Sequence, residues 1–167
     1  MTFDDSFETL VGVEGNFGND SRDPGNWTGG AVGAGVLKGT KYGISAAAYP
    51  DIDIKNLTLE GAKVLYGRDY WDRLHLDELP ASIRYDLFDA AVNSGVVQAI
   101  KFLQEAVGVV VDGVIGPATI AAANLMTGDQ LDKKLSGHRL LFMANCKVWP
   151  TYARGWARRI ANNLIND

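Results

Sequence analysis

The sequence is poor in the residues that staple a fold or bind a metal. One cysteine, Cys146, allows no intrachain disulfide, so the fold must stand on packing. The two histidines, His75 and His138, lie far apart and form no tight ligand cluster. Asp20, Asp23, Asp51 and Asp53 lack the ordered spacing and central glycine of an EF-hand loop. There is no Gly-Lys-Ser/Thr phosphate cradle and no Gly-x-Ser-x-Gly nucleophile elbow. No metal and no cofactor are therefore expected. No apolar run approaches the ~20 residues that span a bilayer. Asp4 and Asp5 stand where a signal peptide carries basic residues, so no export signal and no membrane anchor are expected. A net charge of −4 removes any general case for nucleic-acid binding.

What is present suits one globular domain. The chain has 167 residues, 47% hydrophobic and 22% charged. Its charge is uneven: residues 1–128 carry 9 basic and 17 acidic groups, residues 129–167 carry 7 and 3. The basic end suits either a solvated helix face or contact with an anionic polymer. Seven of the 19 glycines fall between Gly25 and Gly43, a density that excludes regular helix and predicts turns with short, irregular strands.

The remainder predicts helices. Thr2 with Asp5 forms a capping-box-like start. Phe3, Phe7, Leu10, Val11 and Glu14 then follow at helical spacing, which puts Glu14 on the apolar stripe of a helix ended by Gly15. Further helices are predicted near 58–72, 80–94, 96–107, 117–126, 129–147 and 151–164. Thr58 is placed to cap the first of these, and Pro80 and Pro117 suit first turns. Leu131, Leu135 and Phe142 with Tyr152, Trp156, Ile160 and Leu164 predict that the last two helices pack together.

Carboxylate chemistry is what these residues leave open. A carboxyl partly buried against apolar groups has a raised pKa and can protonate a leaving oxygen. Glu14 has that placement, although the same position suits a helix cap or ion pair. Asp20 and Asp23 follow on a turn-rich loop, where a better solvated carboxylate can hold water or support a cationic sugar. Asn19-Asp20 and Asp23-Pro24-Gly25 are equally good turn formers. Trp27, Tyr42 and Tyr49 offer aromatic faces for sugar rings, while Tyr70 and Trp71 suit core packing.

In this order the motifs resemble glycoside hydrolase family 108, the phage and bacterial N-acetylmuramidases of lysozyme-like fold. Glu14-Gly15-Asn16-Phe17 matches the family's Glu-Gly-Gly-Tyr, with Asn16 and Phe17 as departures that remove a tyrosine hydroxyl. Asn19-Asp20-Ser21-Arg22-Asp23-Pro24-Gly25, Thr40-Lys41-Tyr42-Gly43-Ile44-Ser45, Tyr70-Trp71-Asp72 and Asp89-Ala90-Ala91-Val92-Asn93-Ser94-Gly95 follow. Gln104, the Asp112-Gly113 to Thr119 run, Gly155-Trp156 and Arg159 resemble the family's predicted peptidoglycan-binding region. The loop from Gly25 to Thr40 is longer than the short family form.

The resemblance implies a mainly α, lysozyme-like fold with a small Gly-rich, irregular or β lobe at about residues 15–57. Residues 1–92 would form the catalytic part, and 93–167 a helical peptidoglycan-binding part integrated into the same body. It implies Glu14 as catalytic acid and supplies no second carboxylate; the residues themselves offer Asp20 or Asp23 to orient water or support the cationic sugar. Thr40, Tyr42, Trp27 and Asn93 would bind substrate, Asn93 through an N-acetyl group or Glu14. The implied substrate is the β-1,4 bond after N-acetylmuramic acid in peptidoglycan glycan strands. A lytic transglycosylase and a non-catalytic wall-binding or secretion-accessory protein are the alternatives. The expected setting is a monomeric phage or prophage endolysin, made in the bacterial host cytoplasm and acting on the wall after release.

Overall fold

The first helix stops earlier than the apolar spacing predicts. In the computed structural model, which describes residues 1–12 and 16–166, α1 spans Phe3–Val11. Its start is as expected: the Thr2 amide and hydroxyl both donate to Asp5 Oδ2, at 2.9 and 2.7 Å. Its end is set by Gly12, at φ +71°, whose N–H reaches back to Glu8 O at 2.9 Å. A left-handed glycine turns the chain off the helix axis without a Cβ penalty. Glu14 and the expected terminator Gly15 lie outside the described residues.

The chain divides into two units, Met1–Ser6 with Asp69–Asp167, and Phe7–Arg68. The second unit holds the only strands among the described residues. β1 (Thr40–Lys41) pairs antiparallel with β2 (Ile44–Ser45), Lys41 opposite Ile44. The two-residue turn between them, Tyr42 and Gly43, has φ of 52° and 75°. Positive φ at both positions is the hairpin turn whose twist suits paired strands. Isolated bridges join Gly18 to Thr40 and Trp27 to Leu37. α2 (Leu59–Tyr66) closes this unit, capped by Thr58, whose hydroxyl accepts from the Gly61 amide at 3.0 Å. Phe7 meets Tyr66 edge-on at 5.5 Å, which joins α1 to α2, and Ile44, Ala62 and Leu65 of the same unit are buried. The predicted helix over 58–72 is divided at Tyr66, where a single wider turn, Gly67–Trp71, takes over.

The other unit is helical. α3 (Arg84–Ser94), α4 (Val96–Val107), α5 (Pro117–Asn124), α6 (Gly128–Ala144) and α7 (Trp149–Asn166) follow the predicted segments within a few residues. Ile83, Leu87, Ala90 and Ala91 are fully buried, as the stripe predicts. Phe3, Trp71 and Phe88 form an aromatic triangle with centroids 5.3 to 6.2 Å apart. α6 and α7 pack on each other, and Leu131, Leu135 and Met143 of α6 and Ile160 of α7 are buried. Phe142, Tyr152 and Leu164, expected in that seam, are instead 39, 54 and 45% exposed. The polar residues Arg139 and Asn163 occupy the buried positions in their place.

The Asp-Gly to Pro-Ala-Thr run of the second half is built around one side chain. Gln104 is 1% exposed and its amide nitrogen donates to Asp112 Oδ1 at 2.7 Å and Val114 O at 3.0 Å. Its carbonyl oxygen accepts from the Gly113 amide at 2.8 Å. Gly113, at φ +75°, allows the turn, and Pro117 opens α5 at its first position. The motif thus clamps a loop to α4.

Candidate functional site

Asp20, Asp23, Trp27, Thr40 and Tyr42 all lie in the glycine-rich unit, and the first four are gathered around a residue that the sequence reading passed over. Asn26 is 3% exposed. Its side-chain nitrogen donates to Asp20 O at 3.0 Å, and its side-chain oxygen accepts from the Thr40 hydroxyl at 2.8 Å. Its backbone oxygen accepts from the Lys38 and Gly39 amides, both at 3.0 Å. One buried asparagine therefore ties the Asp20 loop to β1. The Asp-Pro-Gly-Asn string was its only signal, because asparagine is common in turns and nothing in a sequence separates a hub from a turn former.

The two carboxylates differ in what holds them. Asp20 accepts from the Arg22 backbone amide at 2.9 Å and grips its guanidinium with both oxygens, at 2.8 to 3.2 Å. The Arg22 side-chain and backbone hydrogen bonds hold the Asp20 carboxyl below the usual carboxylate range. Asp20 is thus an ionised group near neutral pH, unsuited to the role of acid. Asp23 caps a short 3-10 turn, Pro24–Asn26, by accepting from the Gly25 amide at 2.8 Å through Oδ1. Among the described residues its Oδ2 accepts no hydrogen bond.

The aromatic candidates are anchored. Trp27 is half-buried and its indole N–H donates to Ser21 O at 2.9 Å. Tyr42 is half-buried at the hairpin tip, with the Lys41 ammonium 5.3 Å from its ring centroid. The Tyr66 hydroxyl donates to Tyr42 O at 3.1 Å, which fixes the turn to α2. Thr40 spends its hydroxyl on Asn26, so its role in this unit is first a structural one.

Asn93 belongs to the helical unit, beside a polar cluster that the sequence pattern hid inside an apolar helix. Asp86 and Asp89 are 1 and 0% exposed on α3. Asp89 accepts from Arg139 of α6 at 2.6 Å and from Arg159 of α7 at 2.5 Å. Asn163 donates to Asp86 at 2.6 Å. The Asn93 nitrogen donates to Asp89 O at 2.7 Å and to its Oδ1 at 3.0 Å. Asp86, Asp89 and Asn93 fall at helical spacing on one face, which is the signal that could have found them. Among the described residues no group of three or more His, Cys, Asp or Glu is placed to hold a metal ion. Among the same residues no helix is long and apolar enough to cross a membrane.

Comparison with known proteins gives this arrangement its relatives. The structure of SagA from Brucella abortus matches with a TM-score of 0.79 and 30% sequence identity, over 96% of this chain and 90% of that one. No curated protein matches the chain. The fold is mainly α and lysozyme-like. The model of glycosyl hydrolase 108 matches residues 7–95, which take in the glycine-rich unit, Asp20, Asp23 and the α3 run as far as Gly95. A match over more than half the chain makes this protein a member of the glycosyl hydrolase 108 family, and so of a family of glycoside hydrolases.

Proposed function

We propose that the protein is a peptidoglycan hydrolase, an N-acetylmuramidase that cuts the β-1,4 bond between N-acetylmuramic acid and N-acetylglucosamine. The observation that carries this reading is the family match over residues 7–95, which spans Glu14 and the whole loop after it. Glu14 protonates the glycosidic oxygen as the bond to the sugar breaks. Asp23, with an oxygen uncommitted among the described residues, is the better placed of the two aspartates to orient water or face the cationic sugar. Asp20 supports it by holding the loop through Arg22 and Asn26. Thr40, Tyr42 and Trp27 contribute to the sugar-binding wall, and residues 93–167 to hold on the wall polymer. The protein acts as a monomer and as a phage or prophage endolysin, kept in the host cytoplasm until the membrane opens. A fold with a single cysteine is compatible with that reducing compartment.

One observation favours a second reading. Asp20 gives both oxygens to Arg22, and Asp23 gives one to a cap. A lytic transglycosylase needs a single acid/base glutamate, because the muramic acid's own hydroxyl attacks. Mass spectrometry of fragments released from purified peptidoglycan by wild type and Glu14→Gln decides between them. Muramic acid reducing ends, lost in the mutant, are expected. Anhydro ends would assign the transglycosylase. Fragments unchanged by the mutation would remove Glu14 from the reaction.

A further inference from the structure

A small cavity of about 260 Å³ opens between α3, α6 and α7, lined by Asn93, Ser94, Phe142, Met143, Trp156 and Arg159. Its polar groups are set by the buried cluster beneath it. The Asn93 nitrogen faces two acceptors of Asp89, so the carboxamide orientation is fixed and its oxygen is left outward. Among the described residues that oxygen accepts no hydrogen bond. Arg159 gives Nη1 to Asp89, and its side chain is 41% exposed, with the rest of its fork uncommitted among the described residues. The cavity thus presents an open acceptor and an open donor on one wall. Trp156, Phe142 and Met143 supply an apolar surface. Trp156 is held firm by Tyr152, stacked at 5.8 Å, and by Trp149 at 6.0 Å.

Charge selects what fits. Arg159 is already paired with the buried Asp89 carboxylate, so it offers direction more than uncompensated positive charge. A free carboxylate gains little there, whereas a neutral dipole satisfies both the acceptor and the donor. We propose that this cavity is a binding subsite for a secondary amide bearing a methyl group. The amide N–H donates to Asn93 Oδ1, its carbonyl accepts from Arg159, and the methyl packs on Trp156. Peptidoglycan carries such amides in the acetamido groups of its sugars and in the alanyl bonds of its peptides. The source of the amide rests on the hydrolase reading above; the amide chemistry does not.

The test is an NMR titration of the full chain, following the Trp156 indole N–H and the Asn93 carboxamide. The probes are di-N-acetylchitobiose, its deacetylated counterpart, and alanine blocked as an N-acetyl methylamide. The acetylated disaccharide is expected to shift both resonances and the deacetylated one to leave them. Shifts from blocked alanine alone would keep the subsite and assign it to the peptide. Equal shifts from the deacetylated sugar, or no shift at either resonance from any probe, would overturn the proposal. Trp156→Leu should weaken binding about tenfold. Arg159→Lys keeps the ion pair with Asp89 and loses the fork, so it reads the same site if the tryptophan variant does not fold. Wall turnover by the wild type without these shifts would remove the subsite and spare the hydrolase reading. Shifts without Glu14-dependent turnover would do the reverse.

Discussion

Replacing Asp89 by asparagine removes one charge from between two guanidinium groups and keeps the side-chain volume. The cost follows from burial. Asp89 and Arg139 are 0 and 1% exposed, and their contact is 2.6 Å. Arg139 in the variant is a buried cation whose Nη2 has lost its carboxylate, and Nε and Nη1 already lack hydrogen-bond partners. Breaking a buried pair by removing one partner costs about 3–5 kcal/mol. At ~2–4 °C per kcal/mol for a chain of this size, melting should fall by about 6–20 °C. Arg159→Gln removes the other contact from a side chain 41% exposed, where solvent replaces much of what is lost, so about 1 kcal/mol is expected. Urea denaturation of the single variants and of Asp89→Asn with Arg139→Met forms a double-mutant cycle. The double variant should recover part of the loss, because it removes the buried Arg139 cation together with the carboxylate that Arg139 faced. An Asp89→Asn protein within 1 kcal/mol of wild type, or Arg159→Gln as costly as Asp89→Asn, would refute the reasoning.

Gln104→Leu removes three hydrogen bonds, one buried and two part-buried, and should lower the urea midpoint by the equivalent of about 2–3 kcal/mol, with the slope unchanged. Gly43→Ala places a methyl against the Tyr66 hydroxyl at a φ of +75°; about 1–2 kcal/mol should be lost, and Tyr66→Phe in the same chain should return part of it. Arg22→Ala should raise the Asp20 titration toward the ordinary carboxylate value, read from its side-chain carbonyl carbon by NMR. The sign follows from a folded pKa below the unfolded one: the contribution is present above the unfolded value and fades as pH falls through the folded one. Asp23→Ala should lower turnover by orders of magnitude while melting changes little, and Asp20→Ala should lower it less; the opposite ranking of rates on purified wall would exchange their roles.

Helices were the legible part of the fold because their stripes are regular and their caps chemically explicit. Thr2 with Asp5, Thr58 and Pro117 act as expected. The stop of α1 was missed because Gly12 and Gly15 are equally good terminators, and only the backbone chooses. Phe142 and Tyr152 were misplaced because an apolar pattern reports which face is greasy, not whether anything covers it. Arg139 shows the reverse, a charge on α6 that is buried against a carboxylate partner 50 residues away in sequence, which no local pattern reports. In the candidate site, the aspartates and Trp27 were visible as residue types, but their bonds to Arg22, Gly25 and Ser21 depend on loop geometry. Glu14 lies outside the described residues, so its case still rests on the motif it belongs to.

The division of the chain also bears on its synthesis. Phe3 belongs with Trp71 and Phe88, which follow the whole of the Phe7–Arg68 unit in the chain. On the ribosome the first turn of α1 emerges early and has nothing to dock on. Its docking closes a long loop, and the entropy of that closure is smaller once the intervening chain has already folded. The glycine-rich unit is therefore the natural first folder, and the N-terminal turn a late-closing latch on the helical one. Truncating the first six residues should then slow or weaken the helical unit while sparing the early step.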